Sequence, residues 1–242
     1  MLRQIRTSTI VLSGIRDLVT GPDFIPSSVA PIVNSCAAAL SASKFSSLLQ
    51  SRNIDGHSAM YWAIVNNRLE ALSAFTGFIS KLSSDCRSDL RLACIATSNH
   101  ASFMQLNLGT IDSNYEPLQR SLGCPPDEIE VHEGDHDELE KHKFVALLRF
   151  KMCQKRLRIT QNLKAEFVAG GRIWWLRIYM GPKRKWRMEW SLSQHSLPAY
   201  PDAVVVIEVQ RGKPGCATPP QELRMVNRLT DTKFTSLIVP GT

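Results

Sequence analysis

The sequence predicts an α+β protein, with a short N-terminal helical solenoid followed by an antiparallel β-sandwich. Three observations predict it. Apolar residues recur at helical spacing with a repeat of 30 over residues 25–108. From Phe144 onward they alternate with polar residues, as on a half-buried strand. Between the two lies a stretch, 109–143, dominated by Gly, Pro, Asn, Asp and Glu. The division expected is therefore 1–24, an N-terminal helix or tail; 25–108, helical repeats; 109–143, an acidic linker; and 144–242, a β-sandwich domain.

Composition narrows the class. At 43% hydrophobic and 21% charged residues the chain carries enough apolar side chain to fold, which excludes whole-chain disorder. Its six cysteines are scattered and form no C-x-x-C pair, so neither a zinc ribbon nor a dense disulfide framework is expected. Reduced, scattered cysteines point to cytoplasm or nucleus. No apolar run approaches the roughly 20 residues of a membrane helix, so no membrane insertion is expected. The arginines at 3, 6 and 16 precede the first acid, Asp17, in a weak transit-like bias; an ordinary first helix is the preferred reading.

The helical repeats come first in the chain. Ser28, Ser58 and Ser88 each precede an apolar helical pattern, and each reads as an N-cap. Ala30, Met60 and Leu90 take equivalent places, followed by Val33, Ala63 and Ala93. Three helix pairs are expected: 28–40 with 43–50, 58–66 with 68–80, and 87–96 with 99–107. A single pair cannot bury its apolar stripe, whereas stacked pairs can.

The middle unit carries a signature. Asn53-Ile54-Asp55-Gly56-His57-Ser58-Ala59-Met60-Tyr61-Trp62-Ala63 resembles the ankyrin repeat, whose turn and first helix read D-x-x-G-x-T-P-L-H-x-A. Gly56 fits the turn glycine, Ser58 the capping threonine, Met60 the buried leucine and Ala63 the packed alanine. Ala59 replaces proline and Tyr61 replaces histidine. The resemblance implies non-catalytic protein–protein recognition, as in an adaptor or scaffold. It makes Asn53, Ile54, His57, Tyr61 and Trp62 the contact candidates. Burial of Tyr61 and Trp62 in the helical core is the competing expectation.

The linker holds a tempting motif. His132-Glu133-Gly134-Asp135-His136 matches H-E-x-x-H, where a helix presents two histidines to zinc and the glutamate acts as base. Gly134 costs a helix about 1 kcal/mol relative to alanine, and the acidic flanks supply no apolar anchor. A zinc-dependent hydrolase is thus the third reading. No cofactor or metal is expected, and no catalytic residue is assigned. His195 lies beside a strand end and reads as a surface residue. No G-x-S-x-G elbow or phosphate-binding loop occurs.

Strands are expected near 144–152, 156–160, 163–168, 172–180, 186–193, 203–209 and 233–239, with Gly170-Gly171 and Gly181-Pro182 as turns. Phe167-Val168-Ala169-Gly170-Gly171-Arg172-Ile173-Trp174, followed by Leu176, Ile178 and Tyr179, resembles the MATH (TRAF-like) domain. That resemblance implies a sandwich and makes Phe167 and Trp174 core. The layout, with Gln154-Lys155-Arg156 and Trp174, also resembles uncharacterised fungal proteins.

Charge is uneven along the chain. Residues 127–143 carry a net −6 and residues 144–192 a net +10, within a total of +7. Lys183, Arg184, Lys185 and Arg187 form a concentrated patch around Trp186. Nucleic acid or another polyanion is therefore the second candidate partner, behind a protein of unknown identity. In a strand context Trp174, Trp186 and Trp190 are expected to be buried, and the cations to be a solvated face.

Overall fold

A computed structural model describes residues 2–109, 120–134, 143–181, 186–193 and 196–199. It also describes the backbone of 202–207, 221–226 and 233–237; in 2–5, too, only the backbone is described. The chain is mixed α+β, helices first and antiparallel strands after. It divides into two compact units, Met1–Lys151 with Glu166–Ile173, and Met152–Ala165 with Trp174–Thr242.

The first unit opens with α1 (Leu2–Thr20), then α2 (Val29–Ala38), α3 (Ala42–Gln50), α4 (Ala59–Val65), α5 (Leu69–Thr76), α6 (Ser84–Thr97) and α7 (His100–Gln105). The helices fall where the periodicity places them, but their stacking differs from the repeat of 30. Helix α4 packs against both α1 and α6, while α2 packs against α5. So α1, not α2, shares a row with α4 and α6. The reason is visible in α1, whose Val11, Ile15, Leu18 and Val19 make a buried stripe at helical spacing. Helix α2 buries only Val29 and Val33. Residues 1–24 therefore supply a core helix rather than a tail. Asn66 Nδ2 donates to Val19 O at 2.8 Å and Arg68 donates to Gly21 O at 3.1 Å, fastening the ends of α1 and α4.

The caps locate a one-residue slip. Ser58 does cap α4, accepting from Tyr61 N at 3.2 Å. Ser28 occupies the N-cap position of α2 but its hydroxyl makes no cap bond, and Ser88 is not a cap. Ser28 Oγ donates to Ile25 O, and Ser88 lies inside α6 and donates to Ser84 O. Ser83 caps α6 instead, accepting from Cys86 N. At the C-terminal ends Arg68 N donates to Ala63 O, and Asn99 N to Cys94 O, around left-handed Asn67 and Ser98. Those two closures are 31 residues apart.

The acidic stretch is not all linker. It contains β1 (Glu128–Glu133), paired antiparallel with β2 (Phe144–Arg149) from Glu128↔Arg149 to Glu133↔Phe144. Ile129 and Val131 on β1, with Phe144, Ala146 and Leu148 on β2, are half-buried on one side. Glu128, Glu130 and Arg149 are exposed on the other, where Lys151 and Arg149 pair with the carboxylates. His100, at the start of α7, joins this ribbon: its Nε2–H donates to Ile129 O at 3.2 Å and its Nδ1 accepts from Val168 N at 3.3 Å.

A four-stranded sheet runs β3 (Asn162–Ala169), β4 (Arg172–Met180), β5 (Trp186–Leu192) and β8 (Lys233–Leu237). Strands β6 (Asp202–Ile207) and β7 (Gln221–Val226) pair separately. Among the described residues the strands thus form three small antiparallel sheets. The expected strand at 156–160 is a helix, α8 (Cys153–Thr160). Left-handed Met152 and Gln161 bracket it, and its Gln-Lys-Arg-Leu-Arg run favours helix. The Gly170-Gly171 turn forms as expected, both residues at positive φ, and Gly171 N donates to Ser98 Oγ at 2.7 Å. The fully buried run expected at Val204–Ile207 concerns side chains outside the described set.

Candidate functional site

The signature segment Asn53–Ala63 builds the best-organised polar cluster of the helical unit. Asp55 (φ 48°) and Gly56 (φ 82°) occupy the two central positions of a tight turn. Asp-Gly suits such a turn because both residues need a left-handed backbone. The turn pairs Ile54 with His57 in both directions, at 3.0 and 2.9 Å. This delivers His57 and Ser58 to the start of α4, facing α6.

Asp89 of α6 receives them. Its side chain is fully buried. Oδ2 accepts from Ser58 N and from Ser58 Oγ, both at 2.8 Å. Oδ1 accepts from His57 Nδ1 at 2.7 Å, and Arg52 Nε lies 3.5 Å away. Three hydrogen bonds and the Arg52 ion pair on one carboxylate satisfy the rule that a buried charge is tolerated only when paired and hydrogen-bonded. Cys86, beside it, is pushed up to about 11 by burial, with a smaller push from Asp89. It is a neutral thiol, not a nucleophile.

This cluster contains serine, histidine and aspartate, but not in a hydrolase's wiring. Ser58 Oγ donates to Asp89, so its proton goes to the carboxylate and not to an imidazole. What the wiring does is hold an aromatic platform. His57 stacks on Tyr61 with centroids 3.7 Å apart and planes 9° apart. Trp62 meets both rings edge-on, at 6.0 and 5.4 Å. Trp62 Nε1 donates to Ile54 O at 2.8 Å. Burial and the Asp89 charge raise the Tyr61 phenol above its usual range. All three rings are partly buried, and Tyr61 and Trp62 also pack against the hydrophobic core, in line with the competing expectation for them.

Of the expected contact residues, His57, Tyr61 and Trp62 come together. Ile54 does not join the surface: it is fully buried under the turn and serves as an anchor. Asn53 is half-buried, its Nδ2 donating to Leu48 O at 2.9 Å. Asp89 and Arg52 were missed by sequence reasoning. The signal that finds Asp89 is its place 31 residues after Ser58, matching the spacing of the helix ends.

The other candidates fare differently. Of the basic patch, Lys183, Arg184 and Lys185 lie outside the described residues, as does His195. Arg187 is half-buried on β5, its side chain lying over Gly181. Trp174 and Trp190 pack at 5.1 Å on one face, which Trp186 shares by alternation. The H-E-x-x-H helix is not formed over its first half. His132 and Glu133 are successive residues of β1 and point to opposite sides. Glu133 accepts from Gly170 N at 2.9 Å, while Asp135 and His136 lie outside the described residues. No cluster of three metal-ligating side chains occurs among the described residues, and none of their helices is long and apolar enough to cross a membrane. The chain matches no protein-family model, no curated protein and no solved structure in the comparisons made with each.

Proposed function

We propose that the protein is a non-catalytic adaptor or scaffold, whose helical unit binds another protein through the His57–Tyr61–Trp62 platform. The observation that carries this reading is the platform itself: three adjoining aromatic rings, half-exposed, and locked from beneath by a buried carboxylate. Rigid aromatic anchors with a polar handle lose little entropy on binding, so they contribute most to interfaces. The ankyrin-like signature in the same segment supports the same surface. A cytoplasmic or nuclear setting fits the thiols of Cys36, Cys86, Cys94 and Cys124, which form no disulfide among the described residues. The test is affinity for a partner purified with the chain. Tyr61→Ala, with an unchanged melting temperature, should weaken binding about tenfold or more, the weakening persisting at high salt. A partner indifferent to Tyr61→Ala and Arg52→Ala would contradict the reading.

A second reading, polyanion binding by the β unit, is favoured by one specific observation. Arg187 Nε is buried without a hydrogen-bond partner, on the sheet face that also carries Arg177.

A further inference from the structure

The central strand of the four-stranded sheet carries a row of side chains that the platform does not involve. Trp175, Arg177 and Tyr179 alternate on β4 and so share the face opposite Trp174. Strand β3 adds Lys164, whose ammonium lies 5.3 Å from the Trp175 ring centroid. It also adds Asn162, whose Oδ1 accepts from Arg177 Nε at 2.7 Å. The Arg177 guanidinium covers Tyr179 at 4.5 Å. Strand β5 places Arg187 directly opposite Tyr179. All five of Lys164, Trp175, Arg177, Tyr179 and Arg187 are half-exposed. Glu189, opposite Arg177, is the acid on this stretch of β5, and it is 8% exposed. The outward charge is therefore positive.

We infer that this face binds single-stranded nucleic acid, with Trp175 and Tyr179 stacking on two bases and Lys164, Arg177 and Arg187 meeting phosphates. The inference rests on the polyanion reading and narrows it. Cations alone would suit any polyanion. The interleaving decides the class, because two of the three cations, Lys164 and Arg177, each sit over a ring face. A base that takes the ring displaces the ammonium or guanidinium sideways, where the attached phosphate can receive it. A duplex hides its base faces in its own stack, and an acidic peptide has no flat ring to offer. The two rings are four residues apart on one strand, roughly 13 Å, a separation that an extended single strand can bridge.

The test is fluorescence anisotropy on the full chain. The probes are an oligothymidylate of about 12 nucleotides, a base-less phosphodiester of the same length, a duplex and polyglutamate. The oligothymidylate should bind at least about tenfold tighter than the base-less strand. Trp175→Leu and Tyr179→Leu should each remove about tenfold from the oligothymidylate and leave the base-less strand unchanged, while Trp175→Phe retains binding. Three phosphate contacts give a salt slope near −2, and Lys164→Gln, which leaves the rings in place, should lower it by about 0.7. Equal affinity for the base-less strand, the duplex or polyglutamate would overturn the inference and leave the polyanion reading standing. An unchanged slope in Lys164→Gln would also count against it. No binding to any probe at low salt would end both.

Discussion

Ser58 and Asp89 are joined by two hydrogen bonds of 2.8 Å, one from the serine amide and one from its hydroxyl. The same hydroxyl oxygen accepts from Tyr61 N to cap α4. The start of α4 is thus tied to a buried carboxylate of α6. That tie sets the tilt of the turn, and through His57 it sets the aromatic platform.

Removing the carboxylate should therefore cost more than removing the cap. Asp89→Ala leaves the Ser58 amide and the His57 ring without a buried acceptor, at about 2–4 kcal/mol. Ser58→Ala should cost about 1 kcal/mol. Urea unfolding of the two single variants and the double variant should give a coupling of at least about 1 kcal/mol. Additive losses would show that the two residues stabilise the fold separately.

The turn should resist substitution at one position. Gly56 has φ of 82° with open space where a Cβ would go, so Gly56→Ala is strained by backbone alone. The expected loss is about 1 kcal/mol, with the His57 bonds weakened. A variant as stable as the parent would mean that the turn is not held in this conformation.

His100 gives the first unit a pH dependence. Burial lowers its pKa below 6.5, the Ile129 carbonyl opposing in part. Its folded value is depressed, and its neutral form is the one that accepts from Val168 N. The associated stability is present above the unfolded value and is lost as pH falls through the folded one. Denaturation of the wild type should show an extra loss below about pH 6.5 that His100→Gln lacks. Parallel pH curves for the two proteins would refute this.

Thiol reactivity should sort by burial. Burial pushes Cys86 up to about 11 and Cys94 up to about 12. At pH 8 both should label only after unfolding, while half-exposed Cys124 labels in the native protein. Mass spectrometry of the labelled peptides reads the order directly, and early labelling at Cys86 would contradict it.

The helices were legible because apolar periodicity, and at α4 the Ser58 cap, act within a few residues. The strands at 162–169, 172–180 and 186–192 were legible for the same reason, as was the Gly170-Gly171 turn. What was not legible depends on contacts between distant residues. A repeat of 30 makes Ser88 the partner of Ser58, yet the tie goes to Asp89, one residue on. Alternation favoured a strand at 156–160, but left-handed residues on both sides close it into a helix. Ile54 looked like a contact residue because turn tips are exposed in general; here the turn folds it under Trp62. The platform's rings were named from sequence, and the carboxylate that orders them was not.

Whether Tyr61 lies in a protein interface can be read from a photo-crosslinking residue at position 61, with position 10 as control. Ile10 is 72% exposed and belongs to no proposed surface. One discrete protein adduct is expected from position 61 in the cell that makes the chain, and none from position 10. Adducts from both positions alike, or from neither while the chain is folded, would contradict it.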